Sequence, residues 1–252
     1  VSKRRKEPRE KSEGLAWRII VPVAVALAAG STTPWWFPKR EPPKPPEKAA
    51  LEVKTVSRDC DPQGLRESLF RAGSQKAAFV TMAALTMRNK FGEHAYECVL
   101  ELAKVLLEQD PENGHALYFH GEFWRLKAAN DPAQSTLSRD RMREYFLRYL
   151  ATERRLPPTE RDGESNACYE RERGYCKERT AWINHLMAVD YRQWAEEAPD
   201  KTTKVKRLQL AAGFVRTAVD FGGFDAVTAS AVLKEKIQED FQKLGAPYPS
   251  NP

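Results

Sequence analysis

The chain has 252 residues, 41% hydrophobic and 30% charged, with a formal net charge of +6. That charge does not indicate a nucleic-acid binder, because it is unevenly distributed. Residues 1–48 carry eleven Lys/Arg against five Glu, whereas residues 49–252 carry thirty basic and thirty acidic side chains. A neutral body gathers no polyanion and steers no charged substrate over long range.

Residues 1–16 form a basic tail with Lys3, Arg4, Arg5, Lys6, Arg9 and Lys11. Residues 17–37 contain the apolar run from Ile19 to Ala29 and end on Trp35, Trp36 and Phe37. A basic flank, an apolar stretch and aromatics suited to the headgroup layer predict a membrane anchor, N-terminus inside and body outside. Two other readings stay open. Ala26-Leu27-Ala28 fits a signal-peptide cleavage site, and the run also reads as an apolar tail on a soluble protein. Residues 38–56 include Pro42-Pro-Lys-Pro-Pro46, which predicts a polyproline II segment, read as a spacer, with a ligand for a proline-binding module as the alternative. The basic opening at Val1 also fits a juxtamembrane stretch, with a catalytic domain upstream and the body as its extracytoplasmic sensor.

Residues 57–245 read as a helical domain, with 246–252 an irregular tail. Asp61-Pro62 is a helix start, an acidic cap followed by proline in the first turn. Helical spacing then predicts elements over Lys76 to Phe91, His94 to Gln109, Gly114 to Ala129 and Thr136 to Thr152. Glu93 is read as an acidic residue at the start of the second of these, with His94 on the surface. Pro157 to Asn166 reads as an exposed loop. A helical tract broken near Gly174 follows, with Trp182, Ile183, Leu186, Met187, Val189 and Trp194 assigned to the core and His185 half-buried. Lys201 to Phe221 and Asp225 to Leu244 close the domain as a pair turning at Gly222-Gly223. No stretch alternates with period two, so the fold class is all-α.

The segment from Leu106 to Trp124 resembles a tetratricopeptide-repeat junction. Pro111, Leu117, Gly121 and Trp124 fall where that family has its helix-closing proline, a bulky residue, a small residue and an aromatic. The resemblance covers about Val80 to Leu150. It implies antiparallel helix pairs in a short right-handed solenoid, with Gly121 letting its paired helix approach closely and the terminal helices capping the stack. It also implies a concave groove lined by the first helix of each pair, which places His115, Tyr118, Phe119 and Glu122 outward as candidate partner contacts. Core packing is the competing reading for Tyr118 and Phe119. The family's Lys/Asn/Arg clamp for acidic tails is replaced by those four residues, so an uncharged or apolar segment is the expected ligand.

Four cysteines suit a compartment that permits disulfides. Cys168 and Cys176, eight apart, lie about 12 Å apart on one straight helix and meet only if Gly174 breaks it. Cys98 reads either as a small core residue or as a partner for Cys60. No cysteine pair has zinc-ribbon spacing, and His115 and His120, five apart, do not share a helical face. No phosphate loop, nucleophile elbow or metalloprotease motif is present. The expectation is therefore a non-enzymatic, membrane-anchored module that binds a protein or peptide, without metal, cofactor or nucleic acid.

Overall fold

A computed structural model describes residues 60–161, 167–222 and 224–249. The basic tail, the expected membrane span and the proline-rich linker lie outside these residues. Among the described residues all regular structure is helical, and no helix is long and apolar enough to cross a membrane.

Helix α1 (Pro62–Arg71) starts where the acidic cap and proline place it, with Asp61 accepting the Gly64 N–H at 2.8 Å. Helices α2 (Lys76–Gly92) and α3 (Tyr96–Gln109) follow. The start of α3 falls two residues beyond the expected His94, because the chain first closes α2 with a left-handed turn. His94 takes φ +62°, and the Ala95 N–H bonds the Lys90 carbonyl at 2.9 Å. Glu93 belongs to that turn and pairs with Lys90 at 2.9 Å, so it is not a first-turn residue of α3.

Helix α4 (Gly114–Asn130) is capped by Asn113, whose side chain accepts the Ala116 N–H at 3.1 Å. Helix α5 (Ser135–Arg155) packs antiparallel to it. The expected loop after Pro157 contains a short helix, α6 (Pro158–Arg161), with proline at its first position. After α7 (Ala167–Glu170) come α8 (Lys177–Glu196), α9 (Lys201–Phe221) and α10 (Phe224–Lys243). Residues 246–249 are irregular, as expected. They lie back on the domain, with Tyr248 5.5 Å from the Phe241 ring and Arg216 donating to the Pro249 carbonyl at 3.0 Å.

Two apolar clusters meet on α4. Leu65, Leu69, Phe79, Met87, Leu102 and Leu106 of α1–α3 close around Ala116 and Phe119. Phe146, Tyr149, Ile183, Met187, Leu208, Ile237 and Phe241 close around Leu117. Helix α4 is therefore buried on several sides, which explains why its apolar residues show no single stripe. Gly121 lies directly against Phe146, and a Cβ there would stand 2.1 Å from the ring. The close approach of α4 and α5 thus depends on a residue without a side chain.

Alternate helices run in the same direction. His115 and Arg179 meet at the starts of α4 and α8. His185 bonds Ser230 at 3.1 Å and Arg192 bonds Asp240 at 2.7 Å, which fixes α8 and α10 in parallel. Helices α5 and α9 pack behind these as the antiparallel partners. A buried ion pair joins the layers, from Arg143 of α5 to Asp190 of α8 at 2.5 Å. Burial pushes the Asp190 carboxyl upward while Arg143 pulls it down. Arg143 and Arg207 also lie over the Trp194 ring, 4.3 and 3.9 Å from its centroid.

Candidate functional site

Both cysteine pairs are bridged. Cys60 joins Cys98 with Cα atoms 5.7 Å apart, so Cys98 is a bridge partner as well as part of the packing of α3. Cys168 joins Cys176 with Cα atoms 5.3 Å apart. The break at Gly174 makes the second bridge possible, since that residue takes φ +70° and turns the chain back on itself. The closed strap, residues 168–176, docks on the start of α4. Four successive carbonyls point into that contact. Arg171 O accepts from His115 Nε2 at 2.8 Å, Glu172 O from Asn113 Nδ2 at 3.3 Å, Arg173 O from the Gly114 N–H at 2.7 Å and Gly174 O from Arg179 Nη1 at 2.5 Å. Tyr175 donates to the Glu112 carbonyl, which ties the strap to the turn between α3 and α4.

The strap changes the reading of the four outward candidates. His115, Phe119 and Glu122 are buried and Tyr118 is partly buried. His115 lies beneath Gly174, and Phe119 faces Phe91 of α2 at 5.7 Å. Glu122 is held by Arg125 at 2.8 Å. None of these three is an outward contact in this fold: the strap covers His115, Phe119 packs against α2, and Glu122 is buried beside its Arg125 partner. Tyr118 has the Arg179 guanidinium 4.5 Å from its ring, and Tyr169 of the strap is 5.0 Å from the same guanidinium. Arg88 of α2 also approaches Tyr169, at 4.8 Å. Burial, then the Glu122 carboxylate, raises the Tyr118 phenol above its usual range. The structure thus brings His115, Tyr118 and Glu122 into one closed cluster with Arg179, a residue the spacing argument did not select.

Two buried histidines give this part of the protein a pH dependence. Burial and then Arg179 lower the His115 pKa to about 3. Burial, then Lys104 and Arg148, lowers that of His120 to about 4. His120 stacks on Tyr145 at 4.3 Å, and neither of its ring nitrogens has a hydrogen-bond partner. Both rings bind a proton less readily folded than unfolded. Stability is therefore full above the unfolded value near 6.5 and falls as pH drops toward those two values. His120→Phe keeps the stack and removes both unpaired nitrogens. Its gain in unfolding free energy is expected to be about 2 kcal/mol larger at pH 5 than at pH 8. Equal gains at the two pH values in chemical denaturation would refute this assignment.

The open surface lies farther along the same helices. A concavity of about 390 Å³ is bounded by Arg125, Ala129, Arg139, Leu186, Val189 and Gln193, among others, between α4, the start of α5 and α8. A second, of about 550 Å³, lies between α8 and α10 and includes His185, Val189, Ala229, Val232 and Lys236. Val189 lines both, and the two concavities flank α8 on either side of it, so that together they form one grooved surface along that helix. Val189 is 41% exposed and Val232 51% exposed. Val189 was expected in the core, but Met187, Ala188 and Tyr191 fill the buried face of α8 and leave it on the outer one. His185 is half-buried, as expected, and burial lowers its pKa.

Most charges along this groove are already paired. Arg125 holds Glu122, Arg139 holds Glu197 at 2.8 Å and Asp190 is bound by Arg143. Among the described residues no group of His, Cys, Asp and Glu has the arrangement of a metal site. The chemistry on offer is apolar contact with a few uncharged hydrogen-bonding groups. Comparison with protein-family models, with curated proteins and with solved structures finds no match to this chain.

Proposed function

We propose that the protein is a membrane-anchored helical-repeat module whose groove along α8 binds a segment of another protein on the outer side of the membrane. The observation that carries this reading is the pair of concavities sharing Val189, with exposed apolar side chains between internally paired charges. A patch of that kind on the parallel-helix face suits protein contact. The tetratricopeptide-like part of the reading is supported by Gly121 seated against Phe146 and by the parallel run of α4, α8 and α10. The contact residues proposed are Val189 and Val232, in place of His115, Tyr118, Phe119 and Glu122.

The outer-side placement draws support from the two bridges, since disulfides persist in oxidising compartments. It also rests on the basic flank, apolar run and aromatics of residues 3–37. Val189→Glu puts a charge in the middle of the groove without touching the core. The variant is expected to keep its unfolding temperature and to lose the partner that crosslinks to the wild-type protein in native membranes. Retention of that partner at wild-type yield would sink the proposal.

A further inference from the structure

Arg179 is a buried cation without a counterion. It is only 6% exposed, and among the described residues no carboxylate pairs with it. Its guanidinium donates from Nη1 to the Gly174 carbonyl at 2.5 Å and lies 3.4 Å from His115 Nδ1, both uncharged partners. Nη2 is enclosed and has no partner. Arginine is rarely buried this far unless paired, because an uncompensated charge is costly to remove from water. The position adds to that cost, since Arg179 lies in the first turn of α8, at the positive end of the helix dipole. The Tyr118 and Tyr169 rings, centred 4.5 and 5.0 Å away, offset only part of it.

A second guanidinium shares the Tyr169 ring. Arg88 of α2 lies 4.8 Å from its centroid, is exposed, and also has no ion pair among the described residues. The two guanidiniums are therefore within about 10 Å of each other, roughly one screening length, and repel unless an anion lies between them. We propose that Arg88 and Arg179 bracket a binding site for one carboxylate, seated against Tyr118 and Tyr169. One uncompensated buried charge calls for a monoanion, and a guanidinium presents paired donors at carboxylate spacing. Both rings are partly buried, so they admit a ligand from the surface while keeping bulk water from Nη2. Their faces suit an apolar or aromatic group behind the carboxylate. None of these four residues lines either concavity beside α8, so the site goes beyond the groove reading and stands or falls separately.

The test uses the full chain with benzoate, with N-acetyl-Gly-Phe carrying a free carboxyl end, and with the same dipeptide as its amide. Isothermal titration calorimetry is expected to show saturable binding of the carboxylates and none of the amide. Benzoate is also expected to raise the unfolding temperature in proportion to its occupancy. Arg88→Gln changes an exposed side chain outside the core and is expected to weaken binding about tenfold, the loss of one charge-assisted hydrogen bond. Arg179→Lys keeps the buried charge but loses the fork, and is expected to weaken binding at least as much. Where that variant fails to fold, Arg88→Gln alone decides. Binding of the dipeptide acid alone would assign the site to chain ends, of benzoate alone to free acids, and of both equally to the carboxylate group itself. No saturable binding of either acid, an unchanged affinity in Arg88→Gln, or inorganic phosphate binding as tightly as the carboxylates would each overturn the proposal.

Discussion

Replacing Gly121 by alanine is expected to lower the unfolding free energy by about 2–3 kcal/mol, although alanine is the better helix former by about 1 kcal/mol. The added Cβ would stand 2.1 Å from the Phe146 ring, which is fully buried between α4 and α5 and has nowhere to move. Gly213 provides the control. It lies in the middle of α9, and a methyl group added there would have nothing within 4 Å, so Gly213→Ala meets open space. That substitution is expected to raise stability by up to about 1 kcal/mol. Urea unfolding of both variants checks the pair. A Gly121→Ala protein as stable as wild type would show that α4 and α5 are not in the close contact described.

Loss of the disulfides is expected to have the other large effect, and the two bridges are expected to differ. The Cys60–Cys98 bridge spans a sequence separation of 38, and Cys168–Cys176 a separation of 8. The loop-entropy relation gives about 4 kcal/mol for the longer loop and about 2.5 kcal/mol for the shorter. Unfolding of the paired serine variants should follow that order. The short bridge has a second, local consequence. It holds the strap whose carbonyls engage Asn113, Gly114, His115 and Arg179. Its loss is expected to speed amide hydrogen exchange at the start of α4, while the Cys60–Cys98 variant leaves those amides protected. Equal exchange at Gly114 in both variants would mean that the strap stays docked without its bridge.

Much of the fold was legible because its signals are local. Asp61-Pro62 and Asn113-Gly114 each mark a boundary through capping chemistry. The Cys168–Cys176 pair was legible for a similar reason, since one glycine between two cysteines decides whether they can meet. The placement of the exposed apolar surface was not. The start of α4 carries aromatic and polar residues in a pattern that fits an outward face, and only the docked strap and the packing on α2 reveal that His115 and Phe119 are enclosed. Val189 presented the opposite difficulty. An isolated valine on a helix rich in apolar residues looks like core, and its exposure depends on how α10 and α4 flank α8. Glu122 and Arg125, three apart on one helix, could have been read as a pair that silences both charges.

The direct test of the groove is a photo-crosslinking amino acid placed singly at Val189 or at Leu210, both outward-facing apolar positions, on α8 and α9 respectively. With the full chain in intact cells, irradiation is expected to give a discrete adduct from position 189 and none from position 210. An adduct from position 210 alone, or equal adducts from both, would contradict the assignment of the α8 groove as the binding surface.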